Sequence, residues 1–350
     1  MTLFDRDKSA GRLPVSVITG FLGSGKTTLL NRLLRHAGMA NSAVVINEFG
    51  EIGLDHFLVE AVDGETVLMQ SGCLCCTIRS DLEDTLRSLV LRRERAEIPR
   101  FDRILVETTG LADPAPVAQL LLNNPLVSHS LRLDAIVTTI DAVLGAGQLD
   151  DHAEALKQAA IADRIVLTKT DLAEPGAVAA LRGRLAALNP GAAIETAIQG
   201  ELAPDRVFGA GLFDPAHKSA DVRRWLNEEA YAAAHHHGHD VNRHDARIRA
   251  FCLTFDEPLD WPQIALWLGR LRRGRGADLL RVKAVLNLRG EAGPVVVHGV
   301  QHVFHPPVAL DAWPDADRRS RLVVIARDIG HGELERSWRE FIEAQKEANQ

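Results

Sequence analysis

Gly20-Phe21-Leu22-Gly23-Ser24-Gly25-Lys26-Thr27 is the stretch that decides how the first half of this chain is read. Val15-Ser16-Val17-Ile18-Thr19 in front of it is a short buried strand by composition, and residues 28–36 behind it carry Leu29, Leu30, Leu33 and Leu34 at helical spacing. A glycine-rich turn between a strand and a helix is the setting in which backbone N–H groups converge on a phosphate. Gly20, Gly23 and Gly25 permit the inward backbone path, with Ser24 and Thr28 as further contact residues. Lys26 supplies positive charge to the β and γ oxygens, and the hydroxyl of Thr27 is a ligand for Mg²⁺. A bland glycine turn does not account for every fixed position of the pattern being met in that setting.

Further along, the motifs come in the order a P-loop nucleotidase needs. Arg103-Ile104-Leu105-Val106 is an apolar strand ending in Glu107-Thr108-Thr109-Gly110, which puts a carboxylate near the metal and a flexible backbone near the γ-phosphate. Residues 135–140 form another strand that ends at Asp141, and Arg164-Ile165-Val166-Leu167 runs into Thr168-Lys169-Thr170-Asp171. A carboxylate at Asp171 accepts hydrogen bonds from N1–H and the 2-amino group of guanine, while the stem of Lys169 covers the ring. Adenine lacks that donor pair, so GTP is favoured over ATP.

Three of the four cysteines fall in Cys73-Leu74-Cys75-Cys76, after the turn signal Ser71-Gly72 and just before a helix that begins near Ile78. A helix N-terminus stabilises thiolate, the form that binds metal. Cys73, Cys75 and Cys76 supply three of the four ligands Zn²⁺ takes, and Glu48, Glu51 or a water completes the tetrahedron. Redox-sensing thiols and buried structural cysteines are the competing readings. Cys252 lies in an apolar strand and reads as core. A second cluster, His235-His236-His237-Gly238-His239 with His244, is either a metal-collecting tract or a solvated linker. His298, His302 and His305 fall in strand-like sequence, where imidazoles more often make structural hydrogen bonds than bind metal.

At 350 residues and a formal charge of −7, the chain is long enough for more than one core and has no general attraction to nucleic acid or anionic membrane. The charged start Met1-Thr2-Leu3-Phe4-Asp5-Arg6-Asp7-Lys8 and the lack of a long apolar run point to a cytoplasmic protein.

Together with Asn47-Glu48-Phe49-Gly50-Glu51, Gly72-Cys73-Leu74-Cys75-Cys76 and Glu107-Thr108-Thr109-Gly110-Leu111-Ala112-Asp113-Pro114, the phosphate loop resembles the CobW-like P-loop GTPases, metal-handling relatives of the urease and hydrogenase nickel-insertion GTPases. Arg281-Val282-Lys283 and Gly299-Val300-Gln301-His302-Val303-Phe304-His305-Pro306-Pro307 look like the C-terminal domain of that family. One departure stands out, because Thr168 occupies the position where GTPases generally carry Asn.

The resemblance implies an α/β P-loop domain with a mostly parallel sheet flanked by helices over 1–205, a linker over 206–245 and a smaller α+β domain over 246–350. It implies GTP hydrolysis with Mg²⁺, in which Lys26 and Glu107 act at the phosphates and either Glu48 or Asp113 positions the attacking water. It also brings the cysteine loop near the nucleotide. GTP would order 47–51 and 107–110, tighten the grip on zinc, and release the metal to a client protein on hydrolysis. Turnover is expected to be slow, since no arginine finger is identifiable. A homodimer is compatible with this reading. Two other readings remain: a cobalt or iron insertion factor for cobalamin synthesis or nitrile hydratase, and a metal store or sensor built on the histidine tract.

Overall fold

The computed structural model describes residues 4, 11–47, 67–70, 78–209, 231, 247–310, 312–313 and 315–348, with the backbone alone for 47, 67–70, 78–81 and 348. The described residues divide into two compact units, one of 11–186 and 192–209, the other of 247–348 with Phe4, Tyr231 and 187–191.

In the first unit the apolar runs of the sequence become a seven-stranded sheet, β1 (Leu13–Gly20), β2 (Ser42–Asn47), β3 (Val67–Gln70), β4 (Arg103–Thr108), β5 (Leu131–Asp141), β6 (Arg164–Thr168) and β7 (Ala193–Ala197). Their order is β3-β2-β4-β1-β5-β6-β7, and all six pairings are parallel. Parallel sheets need helices on both faces, which is why β4, β5 and β6 are buried along nearly their whole length rather than on alternate residues. Those helices are α1 (Lys26–Leu34), α2 (Ile78–Glu94), α3 (Ala115–Asn123), α4 (Pro125–Ser128), α5 (Gly145–Asp151), α6 (Ala153–Ile161), α7 (Pro175–Leu188) and α8 (Pro204–Val207).

The four leucines expected on α1 are all buried and pack with Ile18, Val44, Leu105 and Val137 into one core. Truncating Leu29, Leu30 or Leu33 to alanine would cost about 2–5 kcal/mol. The chain moves from β1 outward to β2 and β3, returns to β4 beside β1, then crosses to β5 on the other side. That reversal opens a crevice at the carboxyl end of β1, where the glycine loop sits.

The second unit is an antiparallel sheet of β8 (Ile248–Phe255), β9 (Leu279–Leu286), β10 (Val295–Val300), β11 (Val303–Phe304), β12 (Val308–Ala309) and β13 (Ser320–Arg327), with helices α9 (Trp261–Arg275) and α10 (His331–Ala348). The order is β11-β10-β9-β13-β8, and β12 pairs with β10. Phe251, Leu253, Val282, Ala284, Leu286, Leu322 and Val324 alternate onto the face that carries the core with α9 and α10. Trp338 stands edge-on to both Trp267 and Phe255, 5.2 and 5.3 Å between ring centres. Phe4 also belongs to this core, packed edge-on against Trp261 at 5.0 Å.

Strand β10 stops at Val300, because Gln301 turns into the left-handed region at φ 54°. On α9, Ile264, Trp267 and Leu268 are buried, whereas Leu266 is 53% exposed. Cys252 sits half-buried on the sheet face opposite Phe251 and Leu253.

Candidate functional site

The loop is built as its composition demands. Gly20 and Gly25 adopt φ of 144° and 89°, and a Cβ on Gly20 would stand 2.3 Å from the Thr139 hydroxyl, so only glycine fits there. Gly25 is the N-cap of α1, so the first turn of that helix begins at the loop. Lys26, expected to meet phosphate oxygens, is buried and donates to the carbonyls of Gly20 and Phe21 at 2.9 and 3.2 Å, arching back over the loop.

Thr27 and Glu107, which the sequence assigns to Mg²⁺ and the phosphates, are brought into direct contact. The Thr27 hydroxyl donates to Oε1 of Glu107 at 2.9 Å, with Glu107 buried at the end of β4. A hydroxyl and a carboxylate side by side are hard oxygen donors, and this pair fits Mg²⁺. Next to it the strand ends are tied by hydroxyls: Thr108 donates to Thr19 at 2.9 Å, and Ser24 shares a hydrogen bond with Thr139 at 2.7 Å.

The segment after β6 is fastened to the phosphate loop. The Thr168 hydroxyl donates to the carbonyl of Ser24 at 2.8 Å. Lys169, at φ 56°, donates to the carbonyl of Gly23 at 2.7 Å and pairs with Asp141 at 2.6 Å. This fixes the ammonium, and Asp171, two residues further along, is exposed. Asp141 itself accepts from the N–H groups of Val143 and Leu144, at 2.8 and 3.1 Å. A strand-end aspartate followed by a turn was the available sequence signal for it.

Asp113 is engaged locally. Its Oδ1 accepts from the N–H of Ala115, the first residue of α3, at 3.0 Å, while Oδ2 pairs with Lys157 of α6. Thr28 is exposed at the start of α1, and Gly110 is buried against Leu22 of the loop. Neither Lys157 nor the adjacent Gln158, which binds the carbonyls of Gly110 and Ala112, stood out in the sequence.

Cys73, Cys75, Cys76, Glu48 and Glu51 lie outside the described residues, as do His235, His236, His237, His239 and His244. Helix α2 begins at Ile78, two residues after Cys76. In the second unit Nε2 of His298 lies 3.1 Å from the guanidinium of Arg281, and the His305 ring lies 2.7 Å from the carbonyl of Pro306.

The sheet order, the glycine loop at its switch point and the Thr27–Glu107 pair define a P-loop nucleotide-binding protein. Residues 14–196 match the family described as CobW/HypB/UreG, nucleotide-binding domain, and residues 248–342 match the cobalamin synthesis protein cobW C-terminal domain. The chain belongs to that family. It is 30% identical to the zinc chaperone YjiA of Escherichia coli (strain K12), over 92% of this chain and 96% of that one. Likewise, it is 28% identical to the zinc-regulated GTPase metalloprotein activator 1 of Schizosaccharomyces pombe, over 93% of this chain and 85% of that one. The crystal structure of Zn(II)-bound YjiA GTPase from E. coli superposes with a TM-score of 0.70 at 26% identity, covering 94% of this chain and 99% of that one.

Proposed function

We propose that this protein is a GTP-hydrolysing zinc chaperone that gives up its metal to a client protein under nucleotide control. The observation that carries the nucleotide half is the Thr27–Glu107 pair beside the phosphate loop. The names of its relatives, zinc chaperones and a zinc-regulated GTPase, support the metal half.

Lys26 and the loop N–H groups neutralise the phosphates, and Asp171 selects guanine on the surface that Lys169 provides. Bound at Thr27 and Glu107, Mg²⁺ would draw charge from the phosphate oxygens. Water attacks the γ-phosphorus, the bond to the bridging oxygen breaks, and GDP and phosphate leave. Glu48 is the better candidate to position that water, because both oxygens of Asp113 already serve Ala115 and Lys157. Cys73, Cys75 and Cys76, with Glu48 or Glu51 as a fourth ligand, hold the zinc as cargo. No helix among the described residues is long and apolar enough to cross a membrane, in keeping with a cytoplasmic location.

The test is a competition titration of Zn²⁺ and Co²⁺ in the presence of Mg²⁺ and either GDP or a non-hydrolysable GTP analogue, for the wild type and Cys75→Ser. Tighter zinc binding with the analogue, lost in the variant, is expected. Equal zinc affinity in both nucleotide states would end the coupling, since linkage requires each ligand to change the other's affinity by the same factor.

A further inference from the structure

Gln158 is fully buried in the middle of α6, yet no hydrogen-bonding pattern of the helix requires an amide there. Its Nε2 donates to the carbonyl of Gly110 at 3.1 Å and to that of Ala112 at 2.9 Å. Its Oε1 is buried without a hydrogen-bond partner among the described residues. An apolar side chain of the same size would fill the space without an orphaned oxygen, so packing alone does not explain this residue.

What the amide does is orient two peptide groups. A trans peptide carries its N–H opposite its C=O, so holding the two carbonyls on α6 turns the N–H groups of Leu111 and Asp113 away from it. The neighbouring Lys157 fastens the end of the same loop through Asp113. On the other side Gly110 is pressed against the phosphate loop, where a Cβ would stand 2.7 Å from the N of Leu22. The segment that follows Glu107 is therefore held between the phosphate loop and α6. The orphaned Oε1 adds a second property: by turning over, the same amide can accept an N–H if the Gly110–Leu111 peptide flips. An amide can satisfy either orientation, whereas Lys and Met cannot.

We propose that Gln158 is a positioning residue for GTP hydrolysis, setting the peptide orientation of Gly110 to Ala112 and remaining bonded to it in both states of the loop. This rests on the GTPase reading above. The experiment measures kcat and KM for GTP, and the affinity ratio of GDP to a non-hydrolysable GTP analogue, for full-length wild type, Gln158→Met, Gln158→Glu and Lys26→Ala. Gln158→Met is expected to lower kcat on the order of tenfold, the scale of a small misplacement. KM and GDP affinity should stay within about twofold.

Gln158→Glu sets a carboxylate against two carbonyls at neutral pH. As pH falls the carboxyl protonates and can donate one hydrogen bond, so its kcat relative to wild type should recover. A purely structural role would make that recovery follow the melting temperature of the variant, whereas positioning gives it at pH values where the variant is fully folded. Wild-type kcat in Gln158→Met, or a pH-independent deficit in Gln158→Glu, overturns the proposal; the second arm decides if Gln158→Met fails to fold. Undiminished hydrolysis in Lys26→Ala would instead overturn the GTPase reading, which keeps the two failures apart.

Discussion

The hydroxyl of Thr168 donates to the carbonyl oxygen of Ser24 across 2.8 Å, joining the end of β6 to the phosphate loop 144 residues earlier in the chain. This gives the departure from Asn a physical sense: the position needs a short donor that reaches the loop backbone, and a threonine hydroxyl supplies one. The bond is buried, so its loss leaves the Ser24 carbonyl poorly satisfied. Thr168→Val is expected to weaken nucleotide binding by roughly tenfold, equivalent to about 1.4 kcal/mol, while Thr168→Ser keeps most of it. Titration of a fluorescent GDP checks this, and equal affinities for the two variants would refute the strut.

Thr27 and Glu107 should act through Mg²⁺ rather than through the fold. Glu107→Gln and Thr27→Ala are each expected to cut kcat by about 100-fold or more, on the scale of removing a charge-stabilising group. Loss should be largest at limiting Mg²⁺, and a variant whose Mg²⁺ dependence matches wild type would remove that residue from the metal position.

Base selectivity is expected to rest on Asp171, which is exposed two residues after the tethered Lys169. Asp171→Ala leaves guanine without an acceptor for two donors, and the preference for GTP over ATP should fall by roughly 100-fold. Competition between the two nucleotides measures it directly. An unchanged ratio would place base recognition elsewhere.

In the second unit, Arg321 is 5% exposed and makes a two-pronged pair with Asp315 at 2.9 and 3.0 Å. Asp315 is a quarter exposed and Asp317 stands 3.8 Å from the same guanidinium, so Arg321 keeps a counter-charge and Asp315→Ala should cost about 1–2 kcal/mol. Denaturant unfolding followed by tryptophan fluorescence reports it, because Trp267 and Trp338 lie in the core of this unit.

Acid should loosen the same unit. The Arg319 side chain holds the Asp317 carboxyl below its ordinary 3.8, and Arg247 does the same for Asp328. A carboxylate with a lowered folded-state pKa contributes stability that is complete above the unfolded value and is lost as pH falls through the folded one. Melting temperature is therefore expected to drop below about pH 3.8, less steeply in Asp328→Asn than in wild type. Parallel profiles would show that the Arg247–Asp328 pair contributes nothing.

The sequence by itself determined the local parts of this protein. A glycine loop between a strand and a helix, the carboxylate at Glu107 and the Thr168 to Asp171 segment could all be read because each is a short run whose backbone needs are local. The buried stripe of α1 could be read because a helix facing one core repeats at its own period. Short β7 and β2 were not legible, since five or six residues between helices carry too little periodicity. Only the tertiary structure decided which distant groups close around the loop. Thr139 and Asp141 reach it from β5, Lys157 and Gln158 reach the segment after Glu107 from α6, and each is fixed by the strand order rather than by its neighbours in sequence. A buried amide such as Gln158 leaves no local pattern, because the carbonyls it serves lie 46 and 48 residues away and become its partners when the sheet assembles.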